Sequence, residues 1–300
     1  MTESVMLPPD VLPPKAVGLD YLGRFREVIS DPLNLLIERV PRAGIVEGNE
    51  VYLHNGNRVP ISGVGSYYGQ FSQLLIINRG VHEPLEEYVF QEVLKRLPAS
   101  PQMIELGAYW AHYSMWLKKV RPKATTIMVE PNPTNLAVGR ANFSRNGFDG
   151  DFLQAAVAAG GWELDPFLKS RSISHLDILH VDIEGYEAQL LAGARDTLSK
   201  AMVDYLFVST HSQLLHQRII SELVEFGYRV DVSSDFDNDT TSCDGFVFAS
   251  SPQAKRIFSE FRHVGRTRIA ACRPGDLVQA ILKACEHAAN PATHAGELIE

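Results

Sequence analysis

His180-Val181-Asp182-Ile183-Glu184-Gly185-Tyr186-Glu187 follows a short apolar run, Ile178 to Val181, and opens a stretch with helical spacing. An Asp where a buried strand ends, a Glu two residues on and a Gly at the turn place two carboxylates at one mouth of a sheet. The neighbouring sequence repeats the pattern. Short apolar runs occur at Met103 to Leu106, Thr126 to Val129, Phe152 to Gln154, Leu206 to Val208, Tyr228 to Val230 and Phe246 to Phe248. Helical stretches separate the early ones. Near-continuous apolar strands alternating with helices predict an α/β domain, a mostly parallel seven-stranded sheet covered on both faces.

In such sheets ligands bind beyond the carboxyl ends of the strands, where strand order reverses. The first strand ends Glu105-Leu106-Gly107-Ala108-Tyr109-Trp110. Gly107 lets a ligand approach backbone closely, and a helix from near Ala111 would aim its N-terminus there. The second strand runs into Glu130-Pro131-Asn132-Pro133, and an acid at that position can accept both hydroxyls of a ribose. The run Gly107 to His112 lacks the second and third glycines of G-x-G-x-x-G. A nucleoside cofactor without a pyrophosphate is therefore favoured over a dinucleotide. The fifth strand ends Ser209-Thr210-His211-Ser212, which puts His211 one strand over from Asp182 and Glu184. These three could share acid–base work or hold a divalent metal. The plainer alternatives are Asp182 as a helix cap and His211 as a satisfied structural histidine.

Upstream, Pro8, Pro9, Pro13 and Pro14 make residues 1–45 a proline-rich arm, with short helices expected near Leu19 to Ile29 and Pro32 to Val40. Residues 46–98 read as a substrate-side cap. It holds a hairpin turning at Asn55-Gly56, with arms Val51 to Leu53 and Val59 to Ile61. A Gly/Tyr loop with Tyr67 and Tyr68 follows, then a helix from Pro84 to Leu97. His82 lies at the mouth of that helix. Tyr67, Tyr68 and His82 are the candidate acceptor contacts. Glu83, Glu86 and Glu87 read as acids suited to the positive helix end, while His180, Trp110 and Trp116 read as packing residues. Residues 99–250 form the cofactor-binding domain and 251–300 the terminal helices.

The formal charge, 28 basic against 36 acidic residues or −8, argues against nucleic acid or an anionic membrane as partner. No apolar run approaches the roughly 18 residues of a membrane span. Cys243, Cys272 and Cys285 make no CxxC, and the start is not basic-then-apolar, so a reduced, cytoplasmic protein is expected. The proline-rich arm suggests a homodimer.

With these residues in view, the chain resembles the FkbM-type family of S-adenosylmethionine-dependent methyltransferases. The resemblance spans about Pro98 to Val232. It rests on Glu105 to Ala111, on Val129 to Pro133, and above all on Asp182-Ile183-Glu184-Gly185-Tyr186-Glu187, which looks like the family's D-x-E-G-x-E run. It implies a class I methyltransferase fold, Rossmann-like, with S-adenosyl-L-methionine as cofactor and O-methylation of a sugar, glycan precursor or secondary metabolite. N-methylation, or cofactor binding without methyl transfer, are the alternatives. Carried over, Glu105, Gly107, Ala108 and Tyr109 would line the methionine part, and Glu130 with Pro131 would bind the ribose. Asn132 and Ala156 would lie near the adenine, and Asp182 and Glu184 would face the transferred methyl or its acceptor. The chain departs from the family where Glu105 replaces Asp, Tyr109 replaces Asn and Ala111 replaces Gly. The stretch from Ala155 to Ser174 is also short.

Overall fold

The computed structural model describes residues 21–63, 65–67, 72–158, 161–258 and 261–289. The arm up to residue 20 and Tyr68 lie outside them. In chain order the elements are α1 (Tyr21–Ser30), a 3-10 turn (Pro32–Leu35), β1 (Val46–Glu47), β2 (Glu50–Tyr52), β3 (Arg58–Pro60), α2 (Ser72–Ile77) and α3 (Pro84–Leu94). The main domain follows with β4 (Gln102–Leu106), α4 (His112–Val120), β5 (Thr125–Val129), α5 (Pro133–Asn146), β6 (Asp151–Leu153), α6 (Leu164–Ser170) and β7 (Leu176–Val181). It continues with α7 (Glu187–Ala192), α8 (Arg195–Ser199), β8 (Val203–Thr210), α9 (Gln213–Glu225), β9 (Arg229–Ser234) and β10 (Gly245–Ser250). Last come α10 (Arg266–Ala271) and α11 (Pro274–Ala289).

The seven expected strands form one sheet in the order β6-β5-β4-β7-β8-β10-β9. β4, β5, β6, β7 and β8 pair in parallel, while β10 runs antiparallel between β8 and β9. This order, with a reversed strand near one edge, is the class I methyltransferase arrangement that the family resemblance implies. Order reverses between β4 and β7, so their ends frame the binding crevice. Leu106 is in register with both Val129 and Val181, which levels Gly107, Glu130 and Asp182 at one rim.

The sheet is buried on both faces. On one side α3, α4 and the residues Ile257, Phe258 and Phe261 pack through Tyr88, Phe90, Trp116 and Phe261 onto Phe207 and Phe248. On the other, Leu164, Leu190, Ile219 and Leu223 cover Leu179 and Leu206. All eleven residues of α3 are buried. The segment expected as a cap thus contributes a core helix as well as the hairpin β2–β3, whose Pro60 sits where no further strand needs its missing N–H.

Two helix expectations change. The stretch from Pro32 to Val40 is helical only as the 3-10 turn, because its later amides are claimed from elsewhere. Glu38 N donates to Gln91 Oε1 at 2.8 Å and Val40 N to the His54 carbonyl at 2.9 Å. The helix from Pro84 stops at Leu94 rather than Leu97. There the Arg121 guanidinium takes the Leu94 and Leu97 carbonyls, at 2.8 and 3.4 Å.

Candidate active site

The turn after β4 is shaped by a close backbone approach. Gly107 has φ +74°, and a Cβ there would stand 1.6 Å from the Asp182 carbonyl oxygen. Only glycine fits. The Gly107 and Ala108 amides donate to the Val129 carbonyl at 2.9 and 3.1 Å, which ties the turn to β5 as well. Two non-glycine residues follow in the left-handed region, Tyr109 (φ +39°) and Ala111 (φ +61°). These are the two positions where the chain departs from the family's Asn and Gly. Asn and Gly tolerate that conformation best, so the departures place strain beside the site.

Glu130 is buried and sits under this turn. Its Oε2 accepts from Tyr109 N at 3.1 Å and its Oε1 from Asn132 N at 3.0 Å. Glu105 is also buried, accepts from Ser114 N at 3.0 Å, and is pushed up from the ordinary carboxylate range by desolvation. Both carboxylates line a cavity of about 710 Å³ that also takes in Gly107, Ala108, Tyr109, Pro131, Ala156, Asp182 and Glu184. Its volume lies within the range of small-molecule sites. Asn132 does not line it. Its side chain caps α5 instead, accepting from the Thr134 and Asn135 amides at 2.8 and 3.4 Å, and Asn135 faces the cavity in its place. A helix N-terminus starting at Pro133 needs a cap, and that need outcompetes a ligand contact.

At the other end of the cavity, the turn after β7 holds its carboxylates around His211. Asp182 Oδ1, Glu184 Oε2 and Asp244 Oδ1 stand 3.3, 3.4 and 3.7 Å from Nε2, and Glu187 Oε1 stands 2.8 Å from Nδ1. Burial alone would lower the histidine, but the carboxylates outweigh it and push its pKa up to about 12. The surrounding carboxylates therefore favour the imidazolium form of His211, which weighs toward Asp182 rather than His211 in the acid–base work expected of the group. Asp182, Glu184 and His211 do bring one ligand atom each within 4.8 Å of the others. Asp182 Oδ1 and His211 Nε2 lie in no hydrogen-bond geometry, so a mixed oxygen–nitrogen donor set exists here.

The wall toward α3 is aromatic and histidine-rich. Tyr67 and His82 both line it, with ring centroids 5.3 Å apart. His82 is buried between Glu83, 3.3 Å from its Nε2, and Glu87 at its Nδ1. Desolvation opposes its charge, yet the two glutamates raise its pKa to about 9. Trp110, expected to be purely a packing residue, is 5% exposed and lines the cavity as well, stacked on His112 at 4.9 Å. His180 pairs through Nε2 with Glu86 Oε1 at 2.5 Å and also borders the cavity.

Sequence reasoning missed several of these groups. Glu86 and Glu87 are not solvated acids at a helix end but buried partners of histidines. The only local hint was their place among apolar residues at helical spacing. Glu187 was visible as the last residue of D-x-E-G-x-E, and its role is to fix His211. Asp244 carried no signal; the antiparallel pairing of Gly245 with Thr210 brings it beside His211.

The strand order is that of a class I methyltransferase-type α/β fold. Residues 162–230 match the model of the methyltransferase FkbM domain, a span that contains the D-x-E-G-x-E run and agrees with the resemblance it carries. No curated protein matches the chain. Among solved structures, it is similar to precorrin-6y C5,15-methyltransferase from Geobacter metallireducens GS-15. Identity is 15%, covering 57% of this chain and 90% of that one, with a TM-score of 0.42. It is also similar to M. capricolum TrmK in complex with S-adenosyl-homocysteine, at 13% identity over 56% and 69% and a TM-score of 0.40. A third is the ribosomal protein L11 methylase from Lactobacillus delbrueckii subsp. bulgaricus, at 11% over 57% and 80% and a TM-score of 0.40. Nothing about a substrate follows from likenesses at this level. Among the described residues, no helix is long and apolar enough to cross a membrane.

Proposed function

We propose that the chain is an S-adenosylmethionine-dependent methyltransferase acting on a hydroxyl of a sugar, glycan precursor or secondary metabolite. The observation that carries this reading is that Gly107, Glu130 and Asp182, from three strand ends, share one cavity. Glu130 would accept the ribose hydroxyls, Glu105 would face the methionine ammonium, and Ala156 with Asn135 would border the adenine. The bound cofactor supplies a methyl on a positively charged sulfur.

The protein's own work is then alignment and charge placement. Tyr67, Trp110 and His82 offer an aromatic, hydrogen-bonding wall for an acceptor ring, as aromatic faces do for sugars and phenols. Asp182 takes the proton of the acceptor hydroxyl onto its carboxylate. His211, clamped by Glu187, stays an imidazolium beside it and offsets the negative charge that grows on the acceptor oxygen. A second reading rests on the convergence of Asp182, Glu184 and His211. These residues would hold a divalent metal, whose chemistry would be to lower the acceptor's pKa.

Calorimetry with S-adenosylhomocysteine against NAD, followed by a methyl-release assay on hydroxyl and amine acceptors, tests this reading. Binding of S-adenosylhomocysteine without NAD, and methyl release to hydroxyls, is expected. NAD binding alone, or cofactor binding with no transfer to any acceptor, would favour the dehydrogenase-like or non-catalytic alternatives. Activity that vanishes on chelation and returns with metal, at a metal requirement that rises in Glu184→Gln, would favour the second reading.

A further inference from the structure

At the cavity wall, which His112 helps to line, three ligating side chains converge from separate segments. His54 leaves β2 into the hairpin turn, Glu87 sits in the first turn of α3, and His112 is the first residue of α4. They are 1%, 0% and 1% exposed. The chain is built to hold them there. A Cβ on Gly80 would stand 2.1 Å from the His54 amide nitrogen, so a glycine is needed to seat the hairpin turn against the turn that leads to α3. Trp116 packs edge-on against the His54 ring at 4.3 Å, and Trp110 stacks on the His112 ring.

Their geometry is that of a ligand shell. His54 Nε2 is 3.1 Å from one oxygen of Glu87, and His112 Nε2 is 3.7 Å from the other. One ligand atom from each residue lies within 4.8 Å of the rest. A tetrahedral centre with bonds of about 2.0–2.1 Å has ligand–ligand edges of about 3.4 Å, close to the 3.1 Å between His54 Nε2 and Glu87 Oε2. All four ring nitrogens of His54 and His112, and Glu87 Oε2, lie buried in no hydrogen-bond geometry. Buried polar groups are normally satisfied, and so many orphans at one point call for a bound group. His82, ion-paired to the second Glu87 oxygen, orients the carboxylate from outside the shell, as outer partners of metal ligands do.

We propose that His54, Glu87 and His112 bind one divalent transition metal of the zinc type, separate from the Asp182–Glu184–His211 group. Imidazole and carboxylate ligands select borderline cations over calcium or magnesium. The metal would clasp the hairpin, α3 and the start of α4, and so fix the aromatic wall that Trp110 and His82 present to the cavity. The proposal is independent of which reaction the cavity performs.

Full-length protein prepared from zinc-supplemented medium should carry one tightly held zinc by elemental analysis. After removal of the zinc, cobalt(II) chloride should restore the strong visible absorption of a tetrahedral centre. X-ray absorption should show two imidazoles per cobalt, whereas the Asp182 group offers a single histidine. The cobalt signal should be lost in His54→Gln and His112→Gln, with folding checked by circular dichroism, and kept in Asp182→Asn. Wild-type protein that takes up neither zinc nor cobalt would overturn the proposal, because the cluster would then be held by protons alone. So would a cobalt spectrum with one imidazole that depends on Asp182.

Discussion

The carbonyl oxygen of Asp182 lies 1.6 Å from where a Cβ on Gly107 would stand, so the turn that holds the candidate acid is pressed directly onto the turn after β4. Asp182 N also donates to the Leu106 carbonyl at 2.9 Å. The contact joins the ends of β4 and β7 at the point where strand order reverses. Gly107→Ala must push these strand ends apart and also adopt a positive φ. A loss of more than about 3 kcal/mol is expected in urea unfolding, with cofactor binding abolished. A near-neutral result would mean that the rim is far looser than described.

Ala111 offers the contrasting case. It is fully buried in the left-handed region. Ala111→Gly removes strain of about 1 kcal/mol. It also removes a buried methyl worth about 0.8 kcal/mol and adds freedom to the unfolded chain. These terms nearly cancel, so unfolding stability should change by less than about 1 kcal/mol. A larger loss would show that the Ala111 methyl, packed near Gly139, matters more than the backbone strain.

Glu130→Gln keeps the shape and one acceptor for the Tyr109 and Asn132 amides but removes the charge. S-adenosylhomocysteine should bind at least about 10-fold more weakly by calorimetry, equivalent to about 1.4 kcal/mol, with a stability loss of about 1–3 kcal/mol because the new NH2 faces one of the two backbone donors. Unchanged affinity would remove Glu130 from the ribose role.

His211 makes a pH prediction with a definite sign. Its folded pKa, about 12, lies above its ordinary 6.5. Its stabilising contribution is therefore complete below pH 6.5 and declines as pH rises toward 12. In chelator-treated protein, the stability gap between wild type and His211→Asn should be widest below pH 6.5 and narrow steadily at alkaline pH. A gap that grew with pH would show that His211 is neutral in the folded protein. For the same reason the pH profile of methyl transfer should show no inflection near 6.5 that disappears in His211→Asn.

The sheet was legible because each strand is a compact apolar run bounded by turn residues, and both faces are buried, so the signal is local. The hairpin was legible from Asn55-Gly56 for the same reason. That Glu105, Gly107, Glu130 and Asp182 line one cavity could be read because each falls at or near a strand end, and level parallel strands put such residues on one rim. What pairs across distance could not be read. Glu86 meets His180 and Glu87 meets His54 through packing of a whole helix on the sheet, and no spacing in the chain records it. Asn132 showed the opposite failure: a residue beside the site whose local duty, capping α5, takes precedence over a ligand. His211 was placed correctly at its strand end, but its charge depended on Glu187 and on Asp244, which antiparallel pairing delivers from far along the chain.

The account stands on one cavity binding a nucleoside cofactor between Glu130 and Asp182. A crystal structure with S-adenosylhomocysteine tests this most directly. The ribose hydroxyls should sit on the Glu130 carboxylate, with the sulfur turned toward Asp182 and open space beside Tyr67 and His82 for the acceptor. A cofactor bound elsewhere, or with its sulfur directed away from Asp182, would contradict it.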